Sequence, residues 1–322
     1  MSANNSIAIN TGVVSTTTKL LPRVQYEHMV AGVAGGVAPT LILHPFDLVK
    51  IRLAVNDGQL AVRPRYDGLV NTVATIVRQE GVTGLYRGVT PNCVGAGAAW
   101  GLYFLFYNTI KSHMTAARGS DASGGGLGAG RHMLAAAMAG CVTTTLTNPI
   151  WVVKTQMCLQ YGTVTPAGLP TAQPSNGMLN VLTNIYRREG VVGLYRGYLP
   201  GILNVSHGAL QFMAYEELKR FYTEYYELSA NEKLDTGAYL CCAALSKLFA
   251  VTITYPQQLL RARLQDQHSS YKGLLDVIKR TWRYEGVRGY YKGLLPNLIK
   301  VTPACALTFV VYEHSINFLL NK

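Results

Sequence analysis

Three segments of this chain share one spelling: Pro45-Phe46-Asp47-Leu48-Val49-Lys50, Pro149-Ile150-Trp151-Val152-Val153-Lys154 and Pro256-Gln257-Gln258-Leu259-Leu260-Arg261. Downstream of each stands a second: Glu80-Gly81 leading to Tyr86-Arg87-Gly88, Glu189-Gly190 leading to Tyr195-Arg196-Gly197, and Glu285-Gly286 leading to Tyr291-Lys292-Gly293. Two independent motifs in one order, three times over, mark an internal repeat, and a repeat decides the architecture before any local reading does. Working outward, each first segment lies in a long apolar stretch rich in small residues, about 28–54, 131–158 and 234–264. A short amphipathic segment follows, such as Leu69–Gln79, suited to lie along a membrane surface. A second apolar stretch closes each repeat, about 90–112, 198–221 and 295–319. Each long stretch approaches the roughly 20 residues that a bilayer crossing needs. Gly32 and Gly36 have the spacing of close helix contact. The reading is an all-α membrane protein with six transmembrane helices and three short amphipathic ones.

Composition agrees. The 322 residues are 49% hydrophobic and only 14% charged, against about 25% charged in an ordinary soluble domain. Pro, Gly and single charges interrupt the apolar stretches, as in helices that line a watery cavity. The net charge of +12 suits an anionic lipid or an anionic ligand. It is carried by single bases beside aromatic residues or Gly and not by Lys/Arg runs, which argues against nucleic acid. The six cysteines, Cys93, Cys141, Cys158, Cys241, Cys242 and Cys305, form no CxxC pair and no zinc spacing, and read as buried small hydrophobes. No nucleophile, metal set or cofactor motif marks an enzyme. Gly124–Gly130 follows no strand and reads as a linker, and 162–177 reads as a loop. Residues 1–25 hold no acid, many Ser/Thr, Lys19 and Arg23, and read as a disordered tail. The repeats are placed at 26–120, 128–228 and 232–322.

The Pro-x-acid-x-x-base segment, with acid-Gly and then aromatic-base-Gly after it, resembles the signature of the mitochondrial carrier family, from about Tyr26 to Leu320. The resemblance implies a threefold pseudosymmetric barrel of six helices, three matrix-side amphipathic helices, the mitochondrial inner membrane, cardiolipin as lipid partner and a monomer. It implies transport, with no catalytic cofactor.

Proline inside a helix removes a backbone hydrogen bond, so Pro45, Pro149 and Pro256 are expected to kink the three odd helices and gather their ends. The family pairs the acid of each repeat with the base of the next, closing the matrix side. Here Asp47 would pair with Lys154. Trp151 replaces the acid facing Arg261, where a cation–π contact of roughly 0.5–2 kcal/mol is expected. Gln258 replaces the acid facing Lys50, where a hydrogen bond would serve. A cytoplasmic set follows from Tyr107-Asn108, Tyr215-Glu216 and Tyr312-Glu313: Lys111 with Glu216 and Lys219 with Glu313, while Asn108 and Ile316 lose both charges together. Gly88, Gly197 and Gly293 each precede a helix whose free N–H groups suit a lipid phosphate.

Substrate residues are expected on the even helices, about a dozen residues before the gate acids. Gly95 and Ala96 leave room on one wall, with Trp100 and Tyr103 as stacking faces. Leu203, Asn204, His207 and Gln211 belong to the fourth helix, and Lys300 and Val301 to the sixth, Lys300 being the cation at that level. A large, flat, anionic ligand fits. Trp151, with the stretches around Trp100, His207 and Thr302, resembles the branch of the family that carries nucleotides, NAD, FAD and folate. FAD or folate is the expected cargo, with NAD or nucleotide exchange as the alternative.

Overall fold

The computed structural model describes residues 34–58, 64, 66–116, 128–161, 163–164, 170–171, 177–226, 235–269 and 271–320. The proposed tail at 1–25 lies outside them, as does most of the Gly-rich linker. Helix α1 runs over 34–42, turns at Leu43 and resumes as His44–Val55. Then come α2 (Leu69–Glu80), a 3₁₀ turn (Val82–Tyr86), α3 (Val89–Ala116), α4 (Ala129–Cys158), α5 (Met178–Leu194), α6 (Tyr198–Leu203), α7 (Ser206–Tyr225), α8 (Thr236–Gln265), α9 (Leu274–Gly289) and α10 (Leu294–Leu320). Two-residue strands β1 (Thr163–Val164) and β2 (Pro170–Thr171) pair antiparallel inside the segment read as a loop.

The three prolines stand in different local settings. The chain breaks at Leu43, just before Pro45, whereas α4 and α8 run on through Pro149 and Pro256. The fourth long helix, in contrast, is interrupted without a proline at Asn204–Val205, between α6 and α7.

The three repeats interlock. The even helix of each packs on the odd helix of the next: α3 on α4, α6 and α7 on α8, and α10 back on α1. The odd helices α1, α4 and α8 also meet one another. The amphipathic helices seal this end. Ile76 and Thr72 of α2, four residues apart and so on one helix face, are buried while Val70 is exposed. Ile76 joins Leu48, Val49, Val55 and Leu159 in one apolar cluster, and Val181 and Ile185 of α5 join Val152 and Val153 in another. After α2 the Glu-Gly motif turns the chain: Gly81 takes φ +74°, and its counterparts Gly190 and Gly286 take +65° and +63°. That left-handed region is open to glycine at little cost.

Away from this end the helices present apolar side chains outward. Leu134, Met138 and Leu146 on α4, and Leu240, Leu245 and Phe249 on α8, are exposed. An apolar exterior of this extent needs an apolar neighbour. Among the described residues only Gly237–Gln265 is long and apolar enough to cross a bilayer on hydropathy alone.

Candidate functional site

Asp47 sits where α1, α4 and α10 converge. Lys154 Nζ lies 3.6 Å from Asp47 Oδ2 and Lys300 Nζ lies 2.6 Å from Asp47 Oδ1. Asn92 Nδ2 donates to Oδ2 at 3.1 Å. One carboxylate thus holds two ammonium groups, an arrangement stable only because both flank it at hydrogen-bonding or near-bonding range. The Asp47–Lys154 pair matches the expectation. Lys300, expected as the cation at the substrate level of the sixth helix, is paired with Asp47, a partner 253 residues away.

The other two expected links divide. Lys50 Nζ donates to Gln258 Oε1 at 2.7 Å, as anticipated, and also to Asn297 Oδ1 at 3.0 Å. The Trp151–Arg261 contact does not form. Trp151 lies three residues before Lys154 on the same helix, and residues at that spacing share a face. Its ring therefore lies under Lys154, 5.3 Å from centroid to Nζ, and its Nε1 donates to Thr147 Oγ1. Arg261 turns to Asn148, donating to Oδ1 at 3.1 Å, and lies against Gly201, where a Cβ would come within 3.2 Å of the guanidinium carbon.

A cavity of about 350 Å³ opens beside this cluster, lined by Lys50, Lys154, Arg261, Trp151 and Gln258 together with Asn204 and His207. His207 Nδ1 is also 3.0 Å from Thr254 Oγ1, and Asn204 Oδ1 is buried without a hydrogen-bond partner. So two of the expected substrate residues share a chamber with five of the six residues expected at the matrix gate. The remaining substrate candidates, Gly95, Ala96, Trp100, Tyr103, Gln211, Lys300 and Val301, do not line it. Gly95 does not leave room on a wall: a Cβ there would meet Ile150 Cγ2 at 3.1 Å and Trp151 Cη2 at 3.3 Å. Its smallness lets α3 approach α4. Trp100 is half exposed, stacked on Phe104 at 5.7 Å and edge-on to Tyr103, and Tyr103 stacks in turn on Tyr107.

The three Tyr-base-Gly turns brace the odd-helix ends. Gly88, Gly197 and Gly293 take φ of +81°, +69° and +83°. A Cβ at Gly88 would lie 3.2 Å from Lys154 O, at Gly197 3.0 Å from Arg261 O and at Gly293 2.7 Å from Lys50 O. Each turn therefore abuts the backbone of a gate base in the neighbouring repeat.

A family model described as mitochondrial carrier protein matches residues 23–118, 126–226 and 232–322. The chain belongs to the mitochondrial carrier family. Its members are transporters and not enzymes. The carrier is 41% identical to "Folate transporter 1, chloroplastic" of Arabidopsis thaliana, over 92% of this chain and 96% of that one. It is 34% identical to two further Arabidopsis thaliana proteins. One is "Nicotinamide adenine dinucleotide transporter 2, mitochondrial", over 88% of this chain and 77% of that one. The other is "Nicotinamide adenine dinucleotide transporter 1, chloroplastic", over 90% and 91%.

At the opposite end of the carrier, Lys111 and Glu216 are both exposed, and no ion pair joins them among the described residues. The Lys219–Glu313 expectation rests on an acid whose side chain lies outside the described residues.

Two sets of residues escaped the sequence reading. Arg52 and Arg263, both fully buried, bridge to the motif acids: Arg52 Nη1 to Glu80 Oε1 at 2.5 Å and Arg263 Nη1 to Glu285 Oε1 at 2.6 Å. The signal was a base two residues after the gate base, replaced by Gln156 in the second repeat. The residues just before the prolines form the other set. His44 Nε2 sits 2.9 Å from Arg87 O, Asn148 Nδ2 donates to Leu194 O, and Tyr255 Oη donates to Lys292 O. Three different side chains tie each proline to its own repeat's turn, so no shared spelling gave them away.

Proposed function

We propose that this carrier moves a flat anionic cofactor, folate derivatives and/or FAD, into the mitochondrial matrix by alternating access. The structure would represent the state closed at the matrix end, where α1, α4 and α8 meet, with six spans in a threefold barrel. The chain repeats divide at 26–120, 128–228 and 232–322, the carrier works as a monomer, and cardiolipin phosphates occupy the turns at Gly88, Gly197 and Gly293. The observation that carries the reading is Lys300 bound to Asp47. An anionic ligand that takes Lys300 removes one of the two cations holding Asp47, and so weakens the closure by differential binding to the open form. Binding and release of the matrix gate become one event. Trp100, Tyr103 and Phe104 supply stacking faces for the heterocycle. At the other end Lys111, Glu216, Lys219 and Glu313 close in the alternate state.

The substrate class draws support from the similarity to a folate transporter. NAD or nucleotide exchange is the second reading, favoured by the two similar proteins named for nicotinamide adenine dinucleotide. The inner mitochondrial membrane is the proposed location, in keeping with the description of the matching family. The test is uptake of labelled folate, FAD and NAD, side by side, into liposomes holding the purified protein. Saturable uptake of folate or FAD is expected. Uptake of NAD alone would move the assignment to the second reading, and uptake of none of the three by folded protein would refute both.

A further inference from the structure

The gate cluster does not balance its own charge. Three cations, Lys50, Lys154 and Arg261, line the cavity, and a fourth, Lys300, shares Asp47 with Lys154. Asp47 is the one carboxylate among the cavity lining and these cations' partners, an excess of three positive charges. The cause lies in the repeat itself, since Trp151 and Gln258 stand where the first repeat has Asp47. Neutral amides answer Lys50 and Arg261: Gln258 and Asn297 for the first, Asn148 for the second. Among the described residues Arg261 makes only that one side-chain hydrogen bond, out of five N–H donors a guanidinium offers. Its guanidinium packs against Gly201, where a Cβ would lie 3.2 Å from the guanidinium carbon. An excess of like charge in a shielded pocket is unfavourable unless an anion completes it.

We infer that this cavity is a binding site for a compact, multiply charged anionic group of the diphosphate or dicarboxylate kind, held by Lys50 and Arg261 with Asn204 and His207 on its wall. The inference rests on the transporter reading above and deepens it. The flat part of the ligand lies higher, and its charged end draws Lys300 from Asp47 before it settles on Lys50 and Arg261. Arg261 presents a planar fork suited to two oxygens of one group, and Lys50 adds a point charge. Bound there, two or more negative charges would neutralise most of the excess, which a single carboxylate could not.

The experiment uses the full-length protein purified in detergent, its melting temperature read against inorganic pyrophosphate, glutarate and chloride at matched ionic strength. Pyrophosphate, glutarate or both should raise the melting temperature saturably, well beyond chloride. Gln258→Glu gives Lys50 an acid partner and should keep the fold while weakening that effect at least tenfold. Lys50→Gln should weaken it likewise. A shift with pyrophosphate alone assigns a diphosphate ligand, and with glutarate alone a dicarboxylate. No shift beyond chloride with either, or an undiminished shift in Gln258→Glu, overturns the site. Uptake in liposomes from the same preparation separates the two claims. Transport without an anion-specific shift removes this site and leaves the carrier reading. An anion-specific shift without transport of any tested cofactor removes the cargo assignment alone.

Discussion

Gly293 shows how much of the packing between its turn and helices α1 and α8 is set by single residues. It combines φ of +83° with a Cβ position 2.7 Å from both Lys50 O and Tyr255 Oη. The conformation alone costs a non-glycine residue about 1–3 kcal/mol, and the contact adds to that, because backbone cannot retreat as a flexible side chain can. Gly293→Ala should lower the melting temperature by several degrees. Gly101→Ala, inside α3 and with nothing beyond its own helix backbone within 4 Å of the added Cβ, should not lower it and should raise it slightly. Equal effects would contradict the reading of the turn as a brace. Residue identity was legible here because the repeat isolates the three glycines. It misled at Gly95, where smallness was read as cavity space and serves close helix packing instead; sequence alone does not separate the two uses. Trp151 misled for another reason. The pairing rule named a partner in the next repeat, but helix geometry gave the ring to Lys154, three residues along.

Among elements, the joint between each odd helix and its amphipathic helix differs between repeats in a measurable way. Arg52 and Glu80 are almost wholly buried, with side-chain exposures of 0% and 1%, and Arg52 Nε also donates to Cys158 O. Glu80→Gln leaves a buried guanidinium short of its charge, a change worth about 3–5 kcal/mol. In the second repeat Gln156 replaces the arginine, and among the described residues Glu189 pairs with Arg196, the two exposed by 28% and 37%. Glu189→Gln should cost about 1 kcal/mol or less, as exposed pairs do. Thermal unfolding of the two variants in one detergent tests the contrast, and equal losses would refute the assignment of burial as the cause. Helix positions were legible from the repeat, since the apolar stretches place α3, α4, α8 and α10 close to where they lie. The break between α6 and α7 was not, because no proline or glycine marks Asn204–Val205.

Over the whole molecule the interlocked repeats bring residues far apart in sequence to one point. That is why the partner of Lys300 could not be read from the chain: α10 meets α1 only when the third repeat closes on the first. On the proposed function, the same closure makes Lys300 the residue for which the ligand and Asp47 compete. The decisive measurement is uptake of labelled folate and FAD by liposomes holding wild-type protein, Lys300→Ala or Lys300→Arg, each with its melting temperature recorded. The account predicts uptake by the wild type far above protein-free liposomes. Lys300→Ala should fall at least tenfold at a melting temperature close to wild type, and Lys300→Arg should recover part of the loss. Wild-type rates in Lys300→Ala would contradict the account.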